Sequence, residues 1–235
     1  MEYTGSELEL FSHARHWKSY LSQQLSPFIG GRVLEVGAGI GSNIDYLMTA
    51  NVQDWLSLEP DPKLTEVITE RQQAGRLPPR CRVQTGVVDD VAEDGFHSIL
   101  YIDVLEHIEN DRTEVAQAAQ RLAPGGRLVV LSPAHQFLFS PFDASIGHFR
   151  RYSAGELKAL TPHGCRVRRM RLLDCAGLFL SLANRLVLQS AMPTHKQIAL
   201  WDSIFVRISS LLDPLLGFHF GKSILMVWQK EDQGT

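Results

Sequence analysis

The chain has 235 residues, 44% of them hydrophobic and 21% charged, which suits one α/β domain with an insertion and is ample for a core. A net charge of -3 argues against a global field that draws the protein to nucleic acid, and no apolar run approaches the ~18 residues of a membrane-spanning helix. The N-terminus M-E-Y-T-G-S-E-L lacks the basic and apolar regions of a secretory signal, and Cys81, Cys165 and Cys175 show no ligand spacing, so free thiols, no metal site and a cytoplasmic location are expected.

Within residues 6–27, Leu8, Leu10, Phe11, Ala14, Trp17, Tyr20, Leu21 and Leu25 follow helical spacing. Such a helix packs on a sheet, and its Trp17 and Tyr20 can also close over a ligand. Val33 to Val36 form a short buried strand. Gly37, Gly39 and Gly41 follow at alternate positions, and Ser42 and Asn43 are placed to cap a helix through Ile44, Tyr46 and Leu47. Glycines let the main chain turn sharply and approach a ligand, and a helix start offers free N–H groups to an anion. Trp55 to Leu58 suit a second strand ending in Glu59-Pro60-Asp61. A carboxylate at that spacing accepts ribose hydroxyls, and the bland alternative is a helix-start acid. Val83 and Thr85 suggest a third strand, followed by Asp89 and Asp90. Ser98 to Ile102 make a fourth, followed by D-V-L-E-H-I at residues 103–108. A helix over 111–122 carries Val115, Ala118, Ala119 and Leu122 on one face and stops at Pro124-Gly125-Gly126 before a fifth strand.

The glycine spacing is G-x-G-x-G after Glu35. It departs from the dinucleotide fingerprint G-x-G-x-x-G, whose third glycine would fall on Ser42. E-V-G-A-G-I-G instead resembles the first motif of the class I, Rossmann-like S-adenosylmethionine-dependent methyltransferases. D-V-L-E-H-I resembles the fourth-strand motif of their small-molecule branch, and L-A-P-G-G-R-L-V-V their turn into the fifth strand. His97 stands where the family commonly has aspartate. The resemblance implies an α/β fold with a seven-stranded, mostly parallel sheet and helices on both faces. It implies S-adenosylmethionine as cofactor and S-adenosylhomocysteine as product. Glu35, Gly37, Ala38, Gly39, Gly41 and Asn43 would form the cradle, Glu59 with Pro60 and Asp61 the ribose site, and Asp89 or Asp90 the adenine site (either aspartate equally suits a solvated turn), with Asp103 beside the cofactor.

R-V-R-R-M-R-L-L reads as a sixth strand, with Arg166 and Arg168 on one face and Arg169 and Arg171 on the other. An exposed edge guarded by charge explains it better than a nucleic-acid stripe. Residues 223–229 suit a seventh strand. About 50 residues lie between the two, far more than the hairpin of the resembling family needs. That insert reads as helices over Leu178 to Leu188 and Ile198 to Leu216. It is expected to act as a cap first, a dimer surface second and a membrane-lying face third, since the basic residues over 178–216 number only Arg185, Lys196 and Arg207. The organisation is one domain: a helical lid (1–30), a cofactor-binding core (31–173), a helical cap insert (174–222) and a final strand and tail (223–235).

The stretch after the fifth strand is long and aromatic, and G-H-F-R-R-Y within it resembles a segment of one bacterial subgroup of these enzymes. Ser153 and Glu156 form a capping box for the next helix. Trp17, Tyr20, His135, Arg150, Arg151 and Tyr152 are the candidate acceptor-binding residues. The two arginines can hold a carboxylate or phosphate, or instead anchor the loop to Asp143 or to carbonyls, and Tyr152 suits packing or capping. A hydroxyl acceptor needs its proton removed, and His107, His135 and His148 are the candidate bases: the acceptor loop favours His148, and the shared motif suits His107 to a cofactor-side or packing role. The expected function is O-methylation of a small-molecule or lipid- or glycan-linked acceptor. N-P-P-Y, the signature of many amino methyltransferases, is absent. C- or N-methylation, a non-catalytic S-adenosylmethionine-binding regulator and an NAD(P)-dependent oxidoreductase are the rivals. The expected partners exclude nucleic acid and stable membrane insertion, allow weak membrane association, and leave monomer or homodimer open.

Overall fold

A computed structural model describes residues 11, 13–183 and 194–232. Seven strands form one sheet: β1 (Gly31–Val36), β2 (Val52–Glu59), β3 (Cys81–Thr85), β4 (Phe96–Ile102), β5 (Leu122–Pro133), β6 (Cys165–Leu173) and β7 (Ser223–Lys230), in spatial order β3-β2-β1-β4-β5-β7-β6. β1 to β5 run parallel, and β7 runs antiparallel to both β5 and β6. The order reverses between β1 and β4, so the loops after those strands open a crevice at their carboxyl ends, the ligand side of such sheets.

Both faces of the central strands are covered, which is why they read as continuous apolar runs. On one face Val33, Trp55, Leu100, Val129 and Val227 meet α1 (Arg15–Leu25) and the helices inserted between β6 and β7. On the other, Leu34, Leu56, Ile99, Val130 and Trp228 meet Val115 and Ala118 of α4 (Asp111–Gln120) and Leu157 of α6 (Ala154–Ala159). Between them in the chain lie α2 (Ile44–Leu47), α3 (Pro62–Gln73) and α5 (Pro141–Ser145).

Three local expectations change. The helix after the glycines is a single turn, α2, without a side-chain cap from Asn43. β2 already begins at Val52, so the chain has no room to extend it. In β6 a bulge between Val167 and Arg169 breaks the alternation. Arg166, Arg169 and Arg171 pair with Gln229, Val227 and Leu225 and therefore share one face, the face of the insert. The insert holds α7 (Cys175–Ala183), α8 (His195–Leu200) and α9 (Val206–Leu215), with a π-helical turn at Trp201–Phe205 interrupting the expected second helix. The expected continuation of the first helix to Leu188, with Arg185, and the positions of Leu8 and Leu10 lie outside the described residues. No helix among the described residues is long and apolar enough to cross a membrane.

Candidate active site

The loop from β1 is built from left-handed glycines: Gly37, Gly39 and Gly41 have φ of 68°, 56° and 71°. A Cβ on Gly37 would lie 2.6 Å from Val104 Cγ2, so only a bare main chain passes there. The N–H groups of Gly37 and Ala38 donate to Leu58 O at 2.8 and 3.0 Å. Gly39 N donates to Glu59 Oε2 at 2.8 Å and Asp61 N to Oε1 at 3.1 Å. The buried Glu59 carboxylate thus joins the ends of β1 and β2, and each oxygen keeps a lone pair for a further donor. Burial pushes its pKa up, with the Asp61 and Gly39 N–H groups opposing. After Pro60 the chain enters α3, where Asp61 accepts from Lys63 N at 2.8 Å as the helix cap.

Beneath the loop, Glu35 accepts from Asn43 Nδ2 at 2.9 Å and from Trp55 Nε1 at 3.2 Å. Its burial raises its pKa to about 7 against those donors. Arg71 on α3 donates to the Ile40 and Gly41 carbonyls and pairs with Asp45. Lys18 on α1 is buried beside Asn43, Tyr46 and Ile102, its ammonium 5.4 Å from the Tyr46 ring centroid. Sequence reasoning missed both cations, because neither belongs to a motif. The glycine cradle, with a carboxylate that retains acceptor capacity, fits an adenosine-bearing cofactor.

At the end of β4, Asp103 has φ 54° and is exposed as a residue. Protein crowds it from the sides, and this desolvation pushes its pKa up to about 6, opposed by His148 and Lys222. The loop over residues 134–152 follows β5. Its ends are joined by a bridge between Ala134 and Tyr152, and Phe149 N donates to Glu106 O at 2.9 Å. Asp143, fully buried, is the hub of this loop. It accepts from Ser140 N and Oγ at 2.8 and 2.7 Å, from Arg151 Nε and Nη2 at 2.8 and 2.9 Å, and pairs with His148 Nδ1 at 2.9 Å. Burial alone would raise its pKa. The hydrogen bonds from His148, Arg151 and Ser140 hold it well below the usual carboxylate range.

An ionised Asp143 can only accept, so in neutral His148 the proton sits on Nδ1 and the Nε2 lone pair faces inward. Nε2 is 3.8 Å from Glu106 Oε1. The His107 ring stands edge-on to the His148 ring, with centroids 4.5 Å apart. Burial, with His148 adding, lowers the His107 pKa to about 4. Glu106 is fully buried, and neither of its oxygens makes a hydrogen bond; Ser132 Oγ beside them is likewise unsatisfied. Burial drives the Glu106 pKa well above its usual range, with Asp103 adding.

A family profile of methyltransferase domains matches residues 9–167. The chain belongs to the class I methyltransferase family. It is 33% identical over 114 residues to the O-methyltransferase cnsE of Penicillium expansum, covering 46% of this chain and 40% of that one. It is 32% identical over 120 residues to a tRNA U34 carboxymethyltransferase of Syntrophotalea carbinolica, covering 48% of this chain and 37% of that one. The chain thus spans well under two thirds of these relatives. A solved geranyl diphosphate methyltransferase in complex with SAM shares the fold with a TM-score of 0.66 at 12% identity, over 96% of this chain and 90% of that one.

Several residues expected at the site are engaged elsewhere. Asp89 turns away from the glycine loop. Its carbonyl accepts from Arg121, at the amino-terminal end of β5, and it lines an exposed depression with Asp94 and Gln117. Arg150 is held by Asp111 and the Glu109 carbonyl, and Arg151 by Asp143, so both anchor the loop. Tyr152 is buried and donates to Asp111 at 2.8 Å. His135 Nε2 is committed to the Gly221 carbonyl at 3.0 Å. Trp17 packs at a tilt against Trp201, with ring centroids 5.5 Å apart, and Tyr20 donates to Asp213 at 2.5 Å. Both are buried, so they fasten α1 to the insert and present no surface to an acceptor.

Proposed function

We propose that this protein transfers the methyl group of S-adenosylmethionine to an oxygen of a small-molecule or lipid- or glycan-linked acceptor. The observation that carries the oxygen is the Asp143–His148 pair, in which Asp143 holds Nδ1 and leaves the Nε2 lone pair free to take the proton of a hydroxyl. The cofactor supplies a methyl group on a cationic sulfur that departs as a neutral thioether. Gly37, Ala38, Gly39 and Gly41 give it bare main chain, and Glu59, set by Pro60 and Asp61, takes the ribose hydroxyls. Glu35 and Asn43 hold the loop from below. Lys18 is the cation placed to meet the methionine carboxylate.

Calorimetric titration separates this reading from an oxidoreductase: S-adenosylmethionine should bind and NAD should not, and the reverse result overturns it. Labelled methyl transfer over phenols, acids, sugars and lipid-linked alcohols then identifies the atom. A product methylated at carbon or nitrogen removes the oxygen assignment, and binding without turnover on any class favours a regulator.

A second observation favours the lipid-linked class. Between Glu156 and Glu231 the acids are Asp174, Asp202 and Asp213, and all three are buried. Among the described residues that stretch therefore exposes Arg166, Arg168, Arg169, Lys196 and Arg207, as well as Phe179, Ile204, Ile208, Leu211 and Leu215, with no exposed acidic side chain. A basic, apolar face suits the surface of an anionic membrane, where such an acceptor lies. Flotation with phosphatidylglycerol vesicles but not with phosphatidylcholine vesicles is expected; flotation with neither leaves a freely soluble acceptor.

A further inference from the structure

We propose that Glu106, His107 and His148 form a site for one divalent cation of the zinc, cobalt or manganese class, to which the acceptor oxygen binds. One ligand atom from each of the three lies within 4.8 Å of the others, so a single ion bonded at about 2.0–2.2 Å to each is reached by small side-chain rotations. A second observation points to an occupant. The fully buried Glu106 carboxylate makes no hydrogen bond through either oxygen, and it faces His148 Nε2 at 3.8 Å. That separation is too long for a hydrogen bond. A fully buried carboxyl without a partner, turned toward an imidazole nitrogen beyond hydrogen-bond reach, is costly unless an electron-poor group sits between them.

The surroundings of His148 have the form of a metal-ligand support. Its other nitrogen is held by Asp143 at 2.9 Å, and Asp143 is itself fixed by Arg151 and Ser140. A carboxylate behind a histidine in this way sets the tautomer and orients the free nitrogen toward a metal. The donor set of two imidazoles and one carboxylate selects a borderline transition ion over calcium or magnesium and leaves coordination positions open for substrate. The sequence gives no hint of it, because the ligands come from two separate segments that meet only through the Phe149–Glu106 main-chain bond.

For catalysis the inference rests on the oxygen-acceptor reading and changes one role in it: His148 acts as a ligand in place of a base, and the cation lowers the pKa of the acceptor hydroxyl. An acceptor hydroxyl bound to the ion loses its proton to solvent and stays bound as the oxyanion. Its oxygen then attacks the methyl carbon. The O–C bond forms as the C–S bond breaks, both electrons of that bond go to sulfur, and the neutral ether, a weaker ligand, leaves the ion.

The test is direct metal binding by the full chain without acceptor. Chelator-treated protein titrated with Co²⁺ should take up one equivalent, with visible d–d absorption of an imidazole-ligated site, and Zn²⁺ should displace it. Glu106→Gln and His107→Gln should each weaken binding by at least tenfold. Asp143→Asn, a positioning change, should weaken it about 10–100-fold. Far-ultraviolet circular dichroism of each variant separates lost ligands from lost folding. Absence of stoichiometric uptake by the folded wild type overturns the proposal, as does affinity unchanged in folded His107→Gln and Glu106→Gln; either result makes the cluster a proton-sharing pair. Because uptake is read without acceptor, its failure is distinct from failure of the oxygen reading, which is judged by the methylated product.

Discussion

The glycine-loop end of the sheet and the insert at its far edge are held in opposite ways. Around the loop the ties are main-chain donors over short spans: Gly39 and Asp61 to Glu59, and Gly37 and Ala38 to Leu58. At the insert three buried aspartates collect donors from distant segments. Asp213 accepts from Tyr20 Oη and from the N–H groups of Asp174 and Cys175. Asp174 accepts from Trp201 Nε1, Ser209 Oγ and Gly177 N, and Asp202 accepts from Trp17 N. The cofactor end is a local backbone conformation that a motif can encode. The insert is a buried polar network that stands or falls as a unit.

The sharpest way to break that contrast is at the insert. Asp213→Ala strands three buried donors, and we expect it to cost about 3–5 kcal/mol in urea unfolding. A loss under 1 kcal/mol would show that α1 and the insert are not pinned by this network. Under the loop the expected effect is pH-dependent. Glu35 is raised from 4.5 to about 7 in the folded chain, so above pH 4.5 the unfolded chain releases a proton that the folded one keeps. Stability should therefore fall as pH rises from 4.5 to 7, by up to about 3 kcal/mol, and Glu35→Gln should flatten that slope whatever constant cost it carries. Parallel slopes for both proteins would locate the titration elsewhere.

On the acceptor side, His148→Ala should lower turnover by about 100-fold or more while the S-adenosylmethionine Kd stays within about threefold. A matched loss of both would place His148 on the cofactor. The smallest effect should come from Gly37→Ala. The left-handed φ and the Val104 contact predict about a 30-fold weaker cofactor, near 2 kcal/mol, with the fold retained. Unchanged affinity would remove Gly37 from the cradle.

What the sequence could say followed this division. The glycine loop, Glu59 at the end of β2, the charged edge strand and a helical insert before the last strand were all legible. Each is written in residues close together in the chain, through left-handed backbone, strand periodicity or turn chemistry. The anchoring alternative for Arg150 and Arg151 was legible too, whereas their acceptor-binding alternative was not met. Asp89 stands in the turn after β3, with its carbonyl accepting from Arg121, and spacing alone does not record the direction of such a turn. The grouping of the β6 arginines was misread because one bulged residue reverses the alternation.

Only the tertiary structure decided that Lys18 and Arg71 back the loop, that Asp143 is the hub of the acceptor segment, and that His148 meets Glu106 and His107. These depend on α1 lying over α2, on α3 reaching under the glycines, and on the loop after β5 returning to the end of β4. A single sequence fixes backbone preference residue by residue. Which distant side chains share a buried space follows from how the strands are ordered and which faces they cover.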